Sequence, residues 1–197
     1  MGDSIDDLVF RPLESRFLET PFDQQGIIDY IALHGLPPSL RDSGDESIFK
    51  GFVFELNMRL SIERALHGVL YQLPEHALRN NDAIFRTHYG AVVIFRDGND
   101  ENAIEFDDLR ELRVDGKVIP VIFEAKSGRG GNIGYARRTS CVRRVFDEDP
   151  YFCVVRPKKL RGPEGLFIDP VITHHRTLAI PTNGEVLEMA HYLMKNR

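Results

Sequence analysis

The spacing of apolar residues divides the chain into a helical first part and a strand-rich middle. Phe49, Phe52, Val53, Leu56 and Leu60 recur at intervals of three and four, the period of one helix face. Ser43-Gly-Asp-Glu46 ahead of them has the spacing of a capping box, so a helix is predicted from there to about Leu70. Gly51, Glu55 and Arg59 form a neighbouring stripe on the same helix. A shorter helix is predicted over 24–33, ended by His34-Gly-Leu-Pro-Pro38 because neither proline can continue it. Further on the period becomes that of strands. Runs at 89–96, 103–113 and 118–126 read as strands, the first rich in Val, Ile and Phe, and the last two flank Asp115-Gly116, a favoured type I′ turn pair. A glycine-rich link over 127–131 leads to a predicted helix over 132–146 and a strand over 151–156. A short strand over 177–180 then precedes a closing helix with Thr182-x-x-Glu185 as its cap.

The expected order is helix, three antiparallel strands, helix, strand, and then a strand–helix extension. That is an α/β fold with a mixed central sheet flanked by helices. The 197 residues suit one domain, with an N-terminal arm (1–45) whose first 22 residues read as irregular, a core (46–156) and a C-terminal extension (157–197). Apolar residues make up 42% and charged residues 28%, an ordinary globular balance. No apolar run approaches the roughly 20 residues that cross a bilayer, and the acidic N-terminus lacks a secretion signal. A cytoplasmic location without membrane contact is the expectation. Cys141 and Cys153 are too few for a disulfide framework or a four-cysteine zinc site and read as small buried apolar groups. The adjacent His174 and His175 point apart in either secondary structure and read as a solvated loop.

Net charge is −5, which taken alone argues against a nucleic-acid partner. Its distribution changes that picture. Between Lys126 and Arg161 ten Lys/Arg face three acids, so this segment carries +7 and the rest of the chain −12. A basic segment on an acidic protein is the electrostatic footprint of a polyanion site, and is equally the composition of many solvated surfaces.

The predicted hairpin has geometric consequences. With Asp115 and Gly116 at the turn centre, Val114 opposes Lys117 and every opposed pair of positions sums to 231. Asp107 then falls opposite Glu124, and Glu105 opposite Lys126. Opposed residues share a sheet face with Cβ atoms about 4.5–5.5 Å apart, and so do residues two apart on one strand. The register gathers Asp107, Glu124, Lys126 and Glu105 on one patch, while Asp108 points to the other face beside Phe123. Opposed carboxylates repel unless one is protonated or a cation lies between them, and a hard divalent ion is the natural occupant. The alternative, a solvated sheet face with paired charges, stays open on geometry alone. Val-Ile-Pro-Val-Ile-Phe leading into Glu124 lacks the polar alternation of a wet strand and favours burial. Pro120 within this run cannot donate to a ladder, which places it at an edge or a bulge, and a bulge would shift the register by one.

Glu105-Phe-Asp107-Asp-Leu109, followed seventeen residues after Asp107 by Glu124-Ala-Lys126, resembles the E-φ-D-φ-φ … E-x-K core of the PD-(D/E)XK nuclease superfamily. The resemblance covers roughly 46–156, with Asp108 standing where that family usually has an apolar residue. It implies a restriction-endonuclease-like fold and a Mg²⁺- or Mn²⁺-dependent endonuclease that hydrolyses phosphodiester bonds, with DNA the expected nucleic acid. It further implies Asp107 and Glu124 as metal ligands, Glu55 as a further ligand from the first helix, and Lys126 assisting the chemistry. Arg137, Arg138 and Arg144 on the second helix become candidate nucleic-acid contacts, as does Arg129 in the basic segment before it. A homodimer or partner protein fits the modest basic charge. The glycine run 128–134 has no Lys-Ser/Thr ending of a nucleotide P-loop and reads as a flexible link. The competing expectation is a nuclease-like module that binds nucleic acid or protein without cutting.

Overall fold

The structure, a computed structural model, describes residues 5–12, 22–73, 76–77, 82–97, 99–126, 134–157, 175–180 and 184–197. Helices α1 (Asp6–Phe10, a π-helical turn), α2 (Gln24–His34), α3 (Pro38–Arg41) and α4 (Glu46–Leu66) come first. Seven strands follow: β1 (Leu70–Gln72), β2 (His76–Ala77), β3 (Ala83–Thr87), β4 (Gly90–Asp97), β5 (Asp100–Phe106), β6 (Asp108–Val114) and β7 (Lys117–Ala125). Then come α5 (Tyr135–Phe146), β8 (Tyr151–Pro157), β9 (His175–Ile180) and α6 (Glu185–Lys195). The chain is of mixed α/β class.

The strands form two sheets. One runs in the order β1-β6-β7-β8-β9, antiparallel through β7 and parallel from β7 to β9. The other is the antiparallel meander β2-β3-β4-β5. This differs from the expectation in two places. The continuous strand expected over 103–113 is cut at Asp107: β5 belongs to the meander and β6 to the central sheet. The strand expected over 89–96 is therefore not part of the central sheet, whose outer antiparallel strand is the three-residue β1. The period-2 pattern of Ile104 and Phe106 stops at the doubled acids Asp107-Asp108 and resumes out of phase at Leu109, which is where the chain changes sheet.

The two faces of the central sheet seed two cores. Leu112, Val121, Phe123, Ala125, Cys153 and Val155 pack with α4, α6, Ile27 and the first helical turn. Leu109, Ile122, Phe152 and Val154 pack with the meander and with Cys141, Val142 and Val145 of α5. Each large side chain buried in this way contributes roughly 1.5–3 kcal/mol. The N-terminal arm is not irregular throughout, because Val9 and Phe10 of α1 sit fully inside the first core. Cys141 and Cys153 are buried free thiols, as expected.

Helix ends differ from the expected caps. Asp45, not Ser43, caps α4 by accepting from the Ser47 N–H at 2.8 Å, and Ser43 Oγ accepts from the Asp45 N–H. The helix stops at Leu66, ahead of β1. The N-cap of α6 is Gly184 without a side-chain bond; Thr182 and His174 lie outside the described residues, and His175 opens β9 instead of a loop. Among the described residues no helix is long and apolar enough to cross a membrane.

Candidate functional site

The β6–β7 hairpin places the site. Asp115 and Gly116 both have positive φ (50° and 78°), as a type I′ turn requires, and Val114 pairs with Lys117. Pairing continues without a bulge to Asp108↔Phe123. Pro120 breaks nothing, because β8 first pairs with β7 at Val121. One step past the last pair the chain leaves the sheet, and the Asp107 side chain takes over the ladder: Ala125 N–H donates to Asp107 Oδ2 at 2.7 Å. On the other side of the same strand, Lys126 N–H donates to the Val155 carbonyl at 2.9 Å. The meander abuts this point at Gly90, where a Cβ would stand 2.5 Å from the Phe106 carbonyl oxygen.

Glu124 lies on the same face of β7 as Ile122 and is only 1% exposed. Its Oε1 accepts from Lys126 Nζ at 2.6 Å, and Oε2 lies 3.3 Å from Arg138 Nε of α5. That second contact is an ion pair without hydrogen-bond geometry, so Oε2 is buried and accepts no hydrogen bond. Glu55 comes from α4. Burial, above all, and the negative charges of Asp107, Glu124 and Glu105 push its carboxyl up to about 8, against the pull of Lys126. Burial and then the charge of Glu124 push Asp107 up to about 6, although the Ala125 N–H, Lys126 and Arg138 favour its ionised form. Three carboxylates thus crowd one region in which Glu55 keeps its proton at neutral pH and Asp107 releases its own later than an ordinary aspartate.

Of the residues singled out in the sequence, Glu55, Asp107, Glu124 and Lys126 come together. Glu105 does not sit opposite Lys126; it pairs with Val92 in the meander, exposed, and reaches the site through its charge alone. The arginines of α5 diverge. Arg137 is exposed, whereas Arg138 turns inward to Glu124. Arg144 donates to the Arg96 carbonyl and stacks over Phe95. Arg129 lies outside the described residues. The expected nucleic-acid contacts on α5 therefore form no single stripe, because side chains one and six positions apart meet different neighbours. The residue missed as a member of the site is Arg138, whose only sequence signal was its place on the second helix.

The donor set suits a hard divalent cation, since all three acids offer oxygen and Glu124 Oε2 lacks a hydrogen bond. The arrangement is less complete: among the described residues no group of three or more His, Cys, Asp or Glu side chains is arranged to hold a metal ion. Lys126 and Arg138 supply the positive charge instead.

No protein-family model and no curated protein matches the chain. Among solved structures, 94% of the chain aligns with 55% of the crystal structure of protein VC1899 from Vibrio cholerae, at 10% identity and a TM-score of 0.29. The chain thus spans about half the length of that protein.

Proposed function

We propose that the chain is a metal-dependent nuclease with a restriction-endonuclease-like core, cutting phosphodiester bonds and acting on DNA as its expected substrate. The observation that carries this reading is the meeting of Glu55, Asp107 and Glu124 beside Lys126 at the end of β7, with Glu55 and Asp107 raised by burial and mutual repulsion. The element order supports it: helix α4, the antiparallel strands β1, β6 and β7, helix α5, then the parallel strand β8. In this order the meander β2–β5 is an insertion between the first and second core strands.

Asp107 and Glu124 would hold Mg²⁺ or Mn²⁺, with Glu55 as a further ligand. The ion supplies Lewis acidity toward the scissile phosphate. Lys126, once it leaves Glu124, offers its ammonium to the charge that develops on that phosphate. The Ala125 N–H fixes the Asp107 carboxylate. Arg137, exposed on α5, tracks the nucleic-acid backbone and gives salt-dependent binding.

Purified protein should cut DNA or RNA with Mg²⁺ or Mn²⁺ and stop with EDTA. Asp107→Ala and Glu124→Ala should each lose at least about 1000-fold in rate, roughly 4 kcal/mol of transition-state stabilisation. Undiminished cleavage by both variants would sink the assignment. The second reading, a nuclease-like module that binds without cutting, is favoured by the two cations already on Glu124. Calorimetry with Mn²⁺ in the presence of nucleic acid separates the two, because heat of metal binding is expected from the nuclease alone.

A further inference from the structure

We propose that Arg138 is a positioning residue for Glu124: an internal cation that holds one carboxylate oxygen until a divalent ion takes it, and not a contact to nucleic acid. The exchange with metal rests on the function proposed above; the pairing of Arg138 with Glu124 does not.

Arg138 is held by three neighbours. Its Nε stands 3.3 Å from Glu124 Oε2, Nη2 donates to the Glu105 carbonyl at 3.2 Å, and its guanidinium carbon lies 6.0 Å from the centre of the Phe106 ring. Glu105 and Phe106 immediately precede Asp107, so Arg138 ties α5 to the strand end that presents the second acid. A Cβ on Gly134, one turn earlier, would stand 2.8 Å from Arg138 Nη1, so the absence of a side chain there gives the guanidinium its room. Arg137, by contrast, is exposed.

The two cations on Glu124 are held differently. Lys126 makes a 2.6 Å hydrogen bond, whereas Arg138 lies at ion-pair distance without hydrogen-bond alignment. An attraction that rests on charge alone is the one a doubly charged ion displaces with least loss, because no directional bond is broken. Glu124 is 1% exposed, so water cannot take over either role and some cation must remain beside it. Arg138 meets that need while leaving Oε2 open to a ligand's demand.

The test begins with metal-free protein and thermal unfolding of Arg138→Gln, Arg138→Lys, Glu124→Gln and the Glu124→Gln/Arg138→Gln double variant. Arg138→Gln should lower Tm by roughly 5–10 °C, by stranding a buried carboxylate. Arg138→Lys should recover about half of the loss. The double variant should recover most of it, since a neutral amide needs no counter-charge. An unchanged Tm in Arg138→Gln, or a double variant that loses the sum of the two single losses, overturns the pairing. Calorimetry with Mn²⁺ and no nucleic acid tests the exchange. Arg138→Gln should bind about tenfold tighter than the wild type because a competing cation is gone, and equal affinity overturns the exchange. A wild type that binds no Mn²⁺, alongside a coupled Tm cycle, brings down the nuclease reading and the exchange while the pairing stands.

Discussion

Asp107 and Asp108 are neighbours in sequence and opposites in setting. Asp108 faces the α4 side of the central sheet, where Arg110 Nε lies 2.9 Å from its Oδ2 and Arg110 Nη1 lies 2.5 Å from Glu63. Arg110 is 3% exposed; burial works against its charge, but Asp108 and Glu63 more than offset this and hold its pKa above the ordinary value. Asp107 lies past the end of the ladder, where it meets Glu124 and the α4 residue Glu55, and burial and then the charge of Glu124 raise its carboxyl to about 6. One setting holds its charges in a chain of partners. The other leaves two acids short of partners. Buried charge that is fully matched reads as structure, and buried charge left in excess reads as a place for something that arrives from outside.

The contrast is broken most forcefully at Arg110. Arg110→Ala would strand Asp108 in the interior and should cost about 3–5 kcal/mol in urea unfolding; a loss under about 1 kcal/mol would make the two settings equivalent. The next effect is one of pH. Glu55 has an ordinary value of 4.5 and titrates at about 8 when folded, so the folded chain keeps a proton that the unfolded chain has released between those limits. Binding more protons in the folded state means that stability falls as pH rises through this window and levels off above it. Glu55→Gln cannot titrate, so its unfolding midpoint should gain on the wild type's from pH 4.5 to 8; parallel profiles would refute the crowding. The smallest effect is at Asp107. Asp107→Asn keeps an oxygen for the Ala125 N–H and removes repulsion from Glu124, which should stabilise by about 1 kcal/mol, or roughly 2–4 °C. Asp108→Asn should destabilise, because a charged hydrogen bond to Arg110 becomes a neutral one. Shifts of the same sign in both would erase the distinction between the two settings.

The hairpin and its consequences were readable because strand alternation and turn chemistry are local rules. Asp115-Gly116 set the register, and the register put Asp108 opposite Phe123 and turned Glu124 to the other face, with Asp107 meeting Glu124 just past the last pair. The strand exchange at Asp107 left one local mark, the doubled acids Asp107-Asp108 that interrupt the alternation of Ile104 and Phe106. Which sheet each half joins was not readable, because it depends on two cores packed by distant segments. A first central strand as short as Leu70–Gln72 gives no periodicity to detect. Glu105 was misplaced for the same reason, its expected partner having been counted along a hairpin whose last pair comes three residues sooner. Arg138 and Arg144 show the limit for helices: sequence gives the turn on which a side chain sits, but the neighbour it meets is fixed by tertiary packing.

The bond from the Ala125 N–H to Asp107 Oδ2 makes a main-chain proton the witness of a side-chain charge. A carboxylate draws an amide proton more strongly than a carboxylic acid does, and shifts its resonance and its exchange with solvent. The chain has no tryptophan, and so no indole emission to follow, yet it carries this indicator in its own backbone. Whatever neutralises Asp107, whether a proton, a metal ion or a cation brought by a ligand, is written into the signal of Ala125.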